Sequence, residues 1–357
     1  MYFFCTCFDQ HYLSRGLALH ASLIAHCPGF KLWVVCLDAE CLDILSRMRL
    51  KNTELIPLSE VERADEGLRQ AKSGRSRIEY YFTCTPSILL HLLTRRPEAD
   101  LLTYLDADLF FFSDPAPIYE EMGARSIGIF GHRFSEHHRS REQYGIYNVG
   151  WLSFRKDGNS LDCLRWWRER CLEWCFDRVE EGRFADQKYL DEWPGRFQGV
   201  AVLDHKGAGL APWNMENYSL RRQDGKIFVD GAELVFFHFH GFKVIVDGWL
   251  YNPNMASYGV RASSLFRRRV CLPYVRAILA AGRRIAPFGN GAAGRNGIRP
   301  APSAFPARGG RWWDRLDSFA RIGYHVAKGD YVVVLRGAGR TRAGQSGNAA
   351  SHAGGGP

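Results

Sequence analysis

The sequence predicts an α/β protein with a doubly wound, mostly parallel sheet and helices on both faces. Short apolar runs alternate with helical patterns through the first third of the chain, which is the spacing of strand–helix–strand units. Three of the runs end at an aspartate, namely Asp9, Asp38 and Asp106. Because ligands of such sheets bind beyond the carboxyl ends of the strands, we expect the chemistry to follow those runs.

Hydrophobic periodicity places the individual elements. Strands are predicted at residues 2–8, 31–37, 54–57, 101–105, 147–154 and 234–239. Helices are predicted at residues 17–26, 41–48, 80–93 and 161–179. The polar and basic stretch 59–80 carries no predicted element.

Composition divides the chain into two parts. With 46% hydrophobic residues the chain can bury a large core, and residues 1–281 are predicted to form one catalytic domain. Residues 282–357 shift to Gly, Ala, Arg and Pro and are predicted to be a basic, largely disordered tail. The sequence does not indicate an oligomeric state.

Charge and cysteine usage bear on location. A net charge of +9 suits an anionic partner without choosing among nucleotide, phospholipid and nucleic acid. The ten cysteines show no disulfide pattern, the first residues lack the features of a signal peptide, and no apolar run has the length of a spanning helix. We therefore expect a cytoplasmic protein. The basic C-terminal region, with the arginines at 267–269 and 283–284, allows peripheral contact with the inner membrane face.

The aspartate pair Asp106 and Asp108 follows the apolar run LLTYL. In extended backbone residues i and i+2 point the same way, so both carboxylates can face one side of the strand end. The two carboxylates repel one another unless a cation or a proton lies between them. Their hard oxygen ligands suit Mg²⁺ or Mn²⁺ beside a diphosphate. This pattern predicts a metal site. The alternative is that Asp106 caps a turn while Asp108 is solvated.

A second cluster is the segment FFHFHGFK at residues 236–243. His238 and His240 share one face of an extended segment, and Gly241 would let the backbone approach a phosphate closely. A histidine in an apolar strand is also a common core residue, and this alternative stays open. Ligation by one of the two imidazoles would favour Mn²⁺ over Mg²⁺.

Seven segments in one order extend the pattern over residues 1–280: CTCFDQHYLSRGLALHASL, SRIEYYFTCTPS, TYLDADLFFFSDP, YNVGWLSF, FADQKYLDEWP, APWN and HFHG. In this order the chain resembles bacterial glycosyltransferases of the GT-A fold, related to the glycogenin and galactosyltransferase group (family 8-like). The resemblance implies a nucleotide-diphosphate sugar donor, of the UDP type, and a glycan or other hydroxyl acceptor. It also implies Mn²⁺ or Mg²⁺ as cofactor and retention of anomeric configuration, and no nucleic-acid partner is expected.

The resemblance assigns roles to individual residues. It implies a metal held by Asp106, Asp108 and His238, with His240 as the alternative to His238. The base and ribose of the donor nucleotide would contact Asp9 and Tyr12. Its diphosphate would contact Arg77, Asp106, Gly241 and Lys243. Asn148, Asp186 and Gln187 would line the donor sugar, with Asp186 and Gln187 as the catalytic pair. The family's lysine stands six residues after the histidine, where this chain has Val244 instead, and Lys243 is one place early.

Alternatives remain for the function and for one pair of residues. An aspartate-dependent phosphatase also carries D-x-D after an apolar strand, but Phe110 stands where that class has Thr or Val. A catalytically inactive protein that binds nucleotide sugars or an anionic surface is the other alternative. Asp186 and Gln187 could instead cap the helix that follows them.

Overall fold

The structure is a computed structural model that describes residues 1–246, 250–288, 323–328 and 330–334. Its strands are β1 Tyr2–Phe8, β2 Phe30–Cys36, β3 Thr53–Pro57, β4 Leu101–Leu105, β5 Leu109–Phe111, β6 Ile127–Gly131, β7 Tyr147–Arg155, β8 Val200–Leu203, β9 Leu220–Gln223, β10 Lys226–Val229, β11 Ala232–Glu233, β12 Phe236–His238, β13 Lys243–Val246, β14 Leu250–Asn252 and β15 Val332–Val333. Its helices include α1 Leu13–His26, α2 Ala39–Met48, α3 Leu58–Ala64, α4 Glu66–Ala71, α5 Arg77–Arg95, α6 Ala116–Met122, α7 Gly158–Glu173, α8 Trp193–Arg196, α9 Ser264–Phe266 and α10 Leu272–Ile285.

The central sheet has seven strands in the order β3-β2-β1-β4-β7-β6-β8. All neighbours are parallel except where β7 pairs antiparallel with β4 and β6. The prediction of a doubly wound, mostly parallel α/β sheet is confirmed. One consequence is that β1, β2 and β4 present their carboxyl ends along the same edge.

Helices cover both faces of this sheet because successive strand residues point to opposite sides. In β1, Phe4 packs into one core with residues of α1, α2 and α10, whereas Cys5 packs into a second core with residues of α5 and α7. The mostly apolar runs of β1, β2 and β4 match strands that are buried on both faces.

Two helices that the sequence did not predict occupy the polar stretch 59–80. Helix α3 buries Leu58 and Val61, and α4 buries Leu68. The Asp65 carboxylate caps α4 by accepting the Leu68 amide hydrogen at 2.9 Å. The sequence pattern did not indicate these helices, because their few apolar residues bury only one narrow stripe of each otherwise polar helix.

The described residues also bear on the C-terminal region. The predicted boundary at residue 281 falls inside α10, which packs its buried Ala281 and Ile285 into the first core. Val332 and Val333 form β15, which pairs antiparallel with β14. Most of the predicted tail, residues 282–357, lies outside the described residues. All ten cysteines are free thiols, and in the described part of the chain no helix is both long and apolar enough to cross a membrane.

Candidate active site

An open cleft of about 610 Å³ lies beyond the carboxyl ends of β1, β2 and β4. This is the edge at which the sheet topology predicts ligand binding. Nine predicted site residues line it together: Asp9, Tyr12, Arg77, Asp106, Asp108, Asn148, Asp186, Gln187 and His238. The alternative ligand His240 lines it as well.

The turn between β4 and β5 and the pairing of β5 with β12 bring the predicted metal ligands together. Asp106 follows β4 directly, and Asp108 precedes β5. Strand β12 pairs antiparallel with β5 and places His238 opposite Leu109, next to Asp108. The His238 Nε2 atom lies 3.0 Å from Asp108 Oδ1 and 3.6 Å from Asp106 Oδ2. One ligand atom from each residue lies within 4.8 Å of the other two, so the three side chains can share a divalent ion.

The electrostatics of this triad fit a cation between the groups. Burial and the neighbouring Asp108 carboxylate, acting against the attraction of His238, together raise the pKa of Asp106 to about 6. Burial also opposes ionisation of Asp108, but its contact with His238 lowers the Asp108 pKa to about 2. In turn Asp108 raises the pKa of the buried His238 imidazole. The acidic pair thus favours a positive charge at its centre, which a proton on His238 supplies in part.

Two neighbours that the sequence analysis did not assign shape the triad. The Tyr104 hydroxyl donates to Asp106 Oδ1 at 3.0 Å and so orients the first carboxylate. Gly150, in β7, lies against the imidazole, since a Cβ atom there would sit 2.9 Å from His238 Cε1 and Nδ1. Tyr104 could have been found from the sequence, because it stands two residues before Asp106 in the motif TYLDAD. The role of Gly150 could not, because it depends on β12 lying beside β7.

The two residues proposed for catalysis lie beside the triad. Asp186 is 4% exposed, and burial together with the Asp106 charge raises its pKa to about 7. The side-chain amide of Gln187 donates to Tyr144 O at 2.9 Å and accepts from Asn148 Nδ2 at 3.4 Å. The helical turn Lys188–Glu192 has Gln187 as its N-cap residue, without a side-chain capping bond. The alternative role, in which a side chain of this pair caps the helix by a hydrogen bond, is therefore not observed.

Three predicted nucleotide-binding residues, Asp9, Tyr12 and Arg77, line the same cleft as the triad. Asp9 follows β1, is buried, and accepts the Tyr81 hydroxyl at 3.5 Å. The exposed Tyr12 ring lies under the Arg15 guanidinium, and the exposed Arg77 begins α5. These positions leave an aromatic ring and a guanidinium accessible in the cleft.

Gly241 and Lys243 are not among the residues that line the cleft. Gly241 has a φ of +67°, and a Cβ atom there would lie 2.3 Å from the Asn254 side-chain nitrogen, so its backbone turn and close packing require glycine. Lys243 begins β13 with an exposed side chain. His240 reaches the cleft wall, but its imidazole is not part of the triad that His238 completes.

Comparison with known proteins identifies relatives of this chain. It is 32% identical over 247 residues to the uncharacterized Bacillus subtilis protein YfnD, covering 68% of this chain and 79% of the relative. It is 33% identical over 250 residues to the uncharacterized YfnF of the same organism, covering 68% and 82%. No protein-family model matches the chain.

Solved structures similar to the chain are glycosyltransferases. The galactosyltransferase LgtC, in complex with donor and acceptor sugar analogs, is 15% identical with a TM-score of 0.45, covering 67% of this chain and 87% of that one. Mouse xyloside xylosyltransferase 1 is 15% identical with a TM-score of 0.39, covering 57% and 86%.

Proposed function

We propose that this chain, which belongs to the same family as the Bacillus subtilis proteins YfnD and YfnF, is a metal-dependent glycosyltransferase that uses a nucleotide-sugar donor. The observation that carries the proposal is the triad of Asp106, Asp108 and His238 in a cleft at the carboxyl ends of parallel strands. Two carboxylates and one imidazole around a shared point are a ligand set for Mn²⁺, with Mg²⁺ as the alternative.

The reaction breaks the bond between an anomeric carbon and a diphosphate, and negative charge develops on the leaving group. A divalent ion in the triad would neutralise that charge. Within the chain, Asp106 and Asp108 would hold the ion, and the Tyr104 hydroxyl fixes the orientation of the Asp106 carboxylate. Arg77, at the accessible start of α5, would supply a second positive charge for the diphosphate.

The base and ribose would bind at the end of the cleft formed by Asp9 and Tyr12. The donor sugar would lie near Asn148, Asp186 and Gln187. The amide hydrogen bonds of Gln187 hold its side chain still, and fixed dipoles stabilise an oxocarbenium-like centre at no reorganisation cost. With its pKa raised to about 7, Asp186 can exchange a proton with an acceptor hydroxyl near neutral pH.

Other features of the proposal rest on the resemblance alone. These are a UDP donor and retention of anomeric configuration. A cytoplasmic location with peripheral contact to the inner membrane face is proposed from the cysteine usage and the basic C-terminal region instead. Gly241 and Lys243 lie outside the cleft lining, so the proposal assigns the diphosphate to the metal and Arg77 instead.

A thermal-shift screen of nucleotide sugars with and without Mn²⁺ tests the proposal. UDP or a UDP-sugar should stabilise the wild-type protein only when Mn²⁺ is present. Asp108→Ala should abolish this stabilisation, while the control Asp43→Ala, at an exposed pair with Arg47 on α2, should keep it. Metal-independent stabilisation by another nucleotide would count against the proposal, and release of phosphate from an aryl phosphate would favour the phosphatase alternative.

A further inference from the structure

One wall of the cleft carries a positive charge that the donor site does not use. Arg141 lies on the helical turn Glu136–Tyr144, and its half-buried side chain lines the cleft together with Phe134, Trp213, His240 and Tyr258. These residues come from other parts of the chain than Asp9, which follows β1, and Arg77, which begins α5.

The Arg141 guanidinium has no acidic partner in the part of the chain that the structure describes. The central carbon of the guanidinium lies 4.7 Å from the centre of the Tyr258 ring, and no carboxylate of the described residues lies within ion-pair distance of it. By contrast, Arg139 on the same turn contacts Glu136 at 3.5 Å on the surface. A half-buried guanidinium loses part of its hydration, and an anionic ligand would compensate that loss.

The surrounding contacts hold Arg141 in place. His138 Nε2 lies 2.8 Å from Tyr258 O, and the His138 ring meets the Tyr258 ring edge-on at 5.6 Å. The same turn is anchored at its other end, where Lys188 Nζ donates to Glu142 O at 2.7 Å. The guanidinium is thus presented from a fixed segment, which reduces the entropy lost when a ligand binds.

Aromatic rings lie beside the charge. Trp213 is fixed by its indole N–H, which donates to His132 O at 2.9 Å, and its ring lies near those of Phe134, His240 and Tyr258. Aromatic faces offer apolar area to the C–H face of a sugar ring, and an adjacent guanidinium pairs with carboxylate or phosphate oxygens. Together they are suited to a sugar that carries an anionic group.

We propose that this wall is the acceptor subsite and that the acceptor is an acidic glycan whose carboxylate or phosphate pairs with Arg141. The proposal rests on the proposed glycosyltransferase function and specifies its acceptor class. The donor's own diphosphate is the other source of negative charge in the cleft, and it is assigned to the metal and Arg77.

Calorimetric titration of the full chain, loaded with Mn²⁺ and UDP, tests the subsite. The probes are matched pairs of methyl glucoside with methyl glucuronide, and of glucose with glucose 6-phosphate. Wild-type protein should bind at least one anionic member about 10- to 100-fold more tightly than its neutral partner, since a hydrogen bond between charged groups has this magnitude. Which pair shows the larger ratio distinguishes carboxylate from phosphate.

Variants decide whether Arg141 carries the preference. Arg141→Gln should reduce the ratio between anionic and neutral ligand to about 1, Arg141→Lys should restore part of it, and the control Arg139→Gln should keep the wild-type ratio. The inference is overturned if wild-type protein shows no preference, or if Arg141→Gln keeps it. If the wild-type protein does not bind UDP in the presence of Mn²⁺, the proposed function itself is overturned. The two failures are therefore distinguishable.

Discussion

Replacing Gly150 by alanine should weaken metal binding without unfolding the protein. The added Cβ atom would lie 2.6 Å from Asn148 Oδ1 and 2.9 Å from His238 Cε1 and Nδ1, and protein atoms do not pack this closely. The φ of Gly150 is outside the left-handed region, so alanine strains no backbone and acts only through these contacts. The imidazole and the Asn148 amide must therefore move.

The size of the effect follows from the geometry of the triad. His238 Nε2 now lies 3.0 Å from Asp108 Oδ1, whereas metal–ligand distances tolerate deviations of only about 0.2 Å. Displacing the ring by even a few tenths of an ångström should lower Mn²⁺ affinity about 10- to 100-fold, as changes next to metal ligands do. Overpacking should lower the free energy of unfolding of the metal-free protein by about 1–3 kcal/mol.

Titration of Mn²⁺ in the presence of UDP, with thermal unfolding of the metal-free protein, measures both effects. Gly158→Ala is the matched control, because Gly158 begins α7 and a Cβ atom there meets nothing within 4 Å. It should leave Mn²⁺ affinity unchanged and alter stability by less than about 1 kcal/mol. A Gly150→Ala protein that binds Mn²⁺ with wild-type affinity would refute the reasoning.

Three further predictions concern neighbours of the triad. Tyr104→Phe removes the hydroxyl that donates to Asp106 at 3.0 Å, and Mn²⁺ affinity should fall about 10-fold while the fold is kept; an unchanged titration would show that Asp106 needs no such support. Asp186→Asn should lower kcat about 100-fold or more in a UDP-release assay while Mn²⁺-dependent UDP binding persists. Because the pKa of Asp186 is raised to about 7, the folded protein keeps a proton that the unfolded chain loses above about pH 4. The free energy of unfolding of metal-free wild-type protein should therefore fall between about pH 4 and pH 7, and Asp186→Asn should remove that part of the fall; equal slopes in denaturant titrations would contradict this.

The sequence predicted those parts of the fold that depend on local pattern. Strand β1 and the strand before Asp106 were predicted with their observed bounds because each is a short, pure apolar run. Helix α1 begins at Leu13 rather than at 17, since its first turn carries no distinctive start signal. Helices α3 and α4 were missed because their apolar residues are few and widely spaced.

Site residues that follow a single strand could be predicted from the sequence. Site residues that come together from distant segments of the chain were harder to predict. Asp106 and Asp108 are read from the i, i+2 spacing, but the approach of His238 depends on β12 pairing with β5, which no local pattern shows. The outward direction of Lys243 and the position of Arg141 in the cleft follow from turns and loops whose course the sequence does not specify.

Anomalous diffraction at the manganese edge, from crystals grown with Mn²⁺ and UDP, tests the central claim most directly. The account predicts one manganese peak within bonding distance of Asp106, Asp108 and His238, in contact with the diphosphate of a nucleotide whose base lies near Asp9 and Tyr12. A nucleotide bound in the cleft with no manganese at this triad, or manganese bound to other residues, would contradict it.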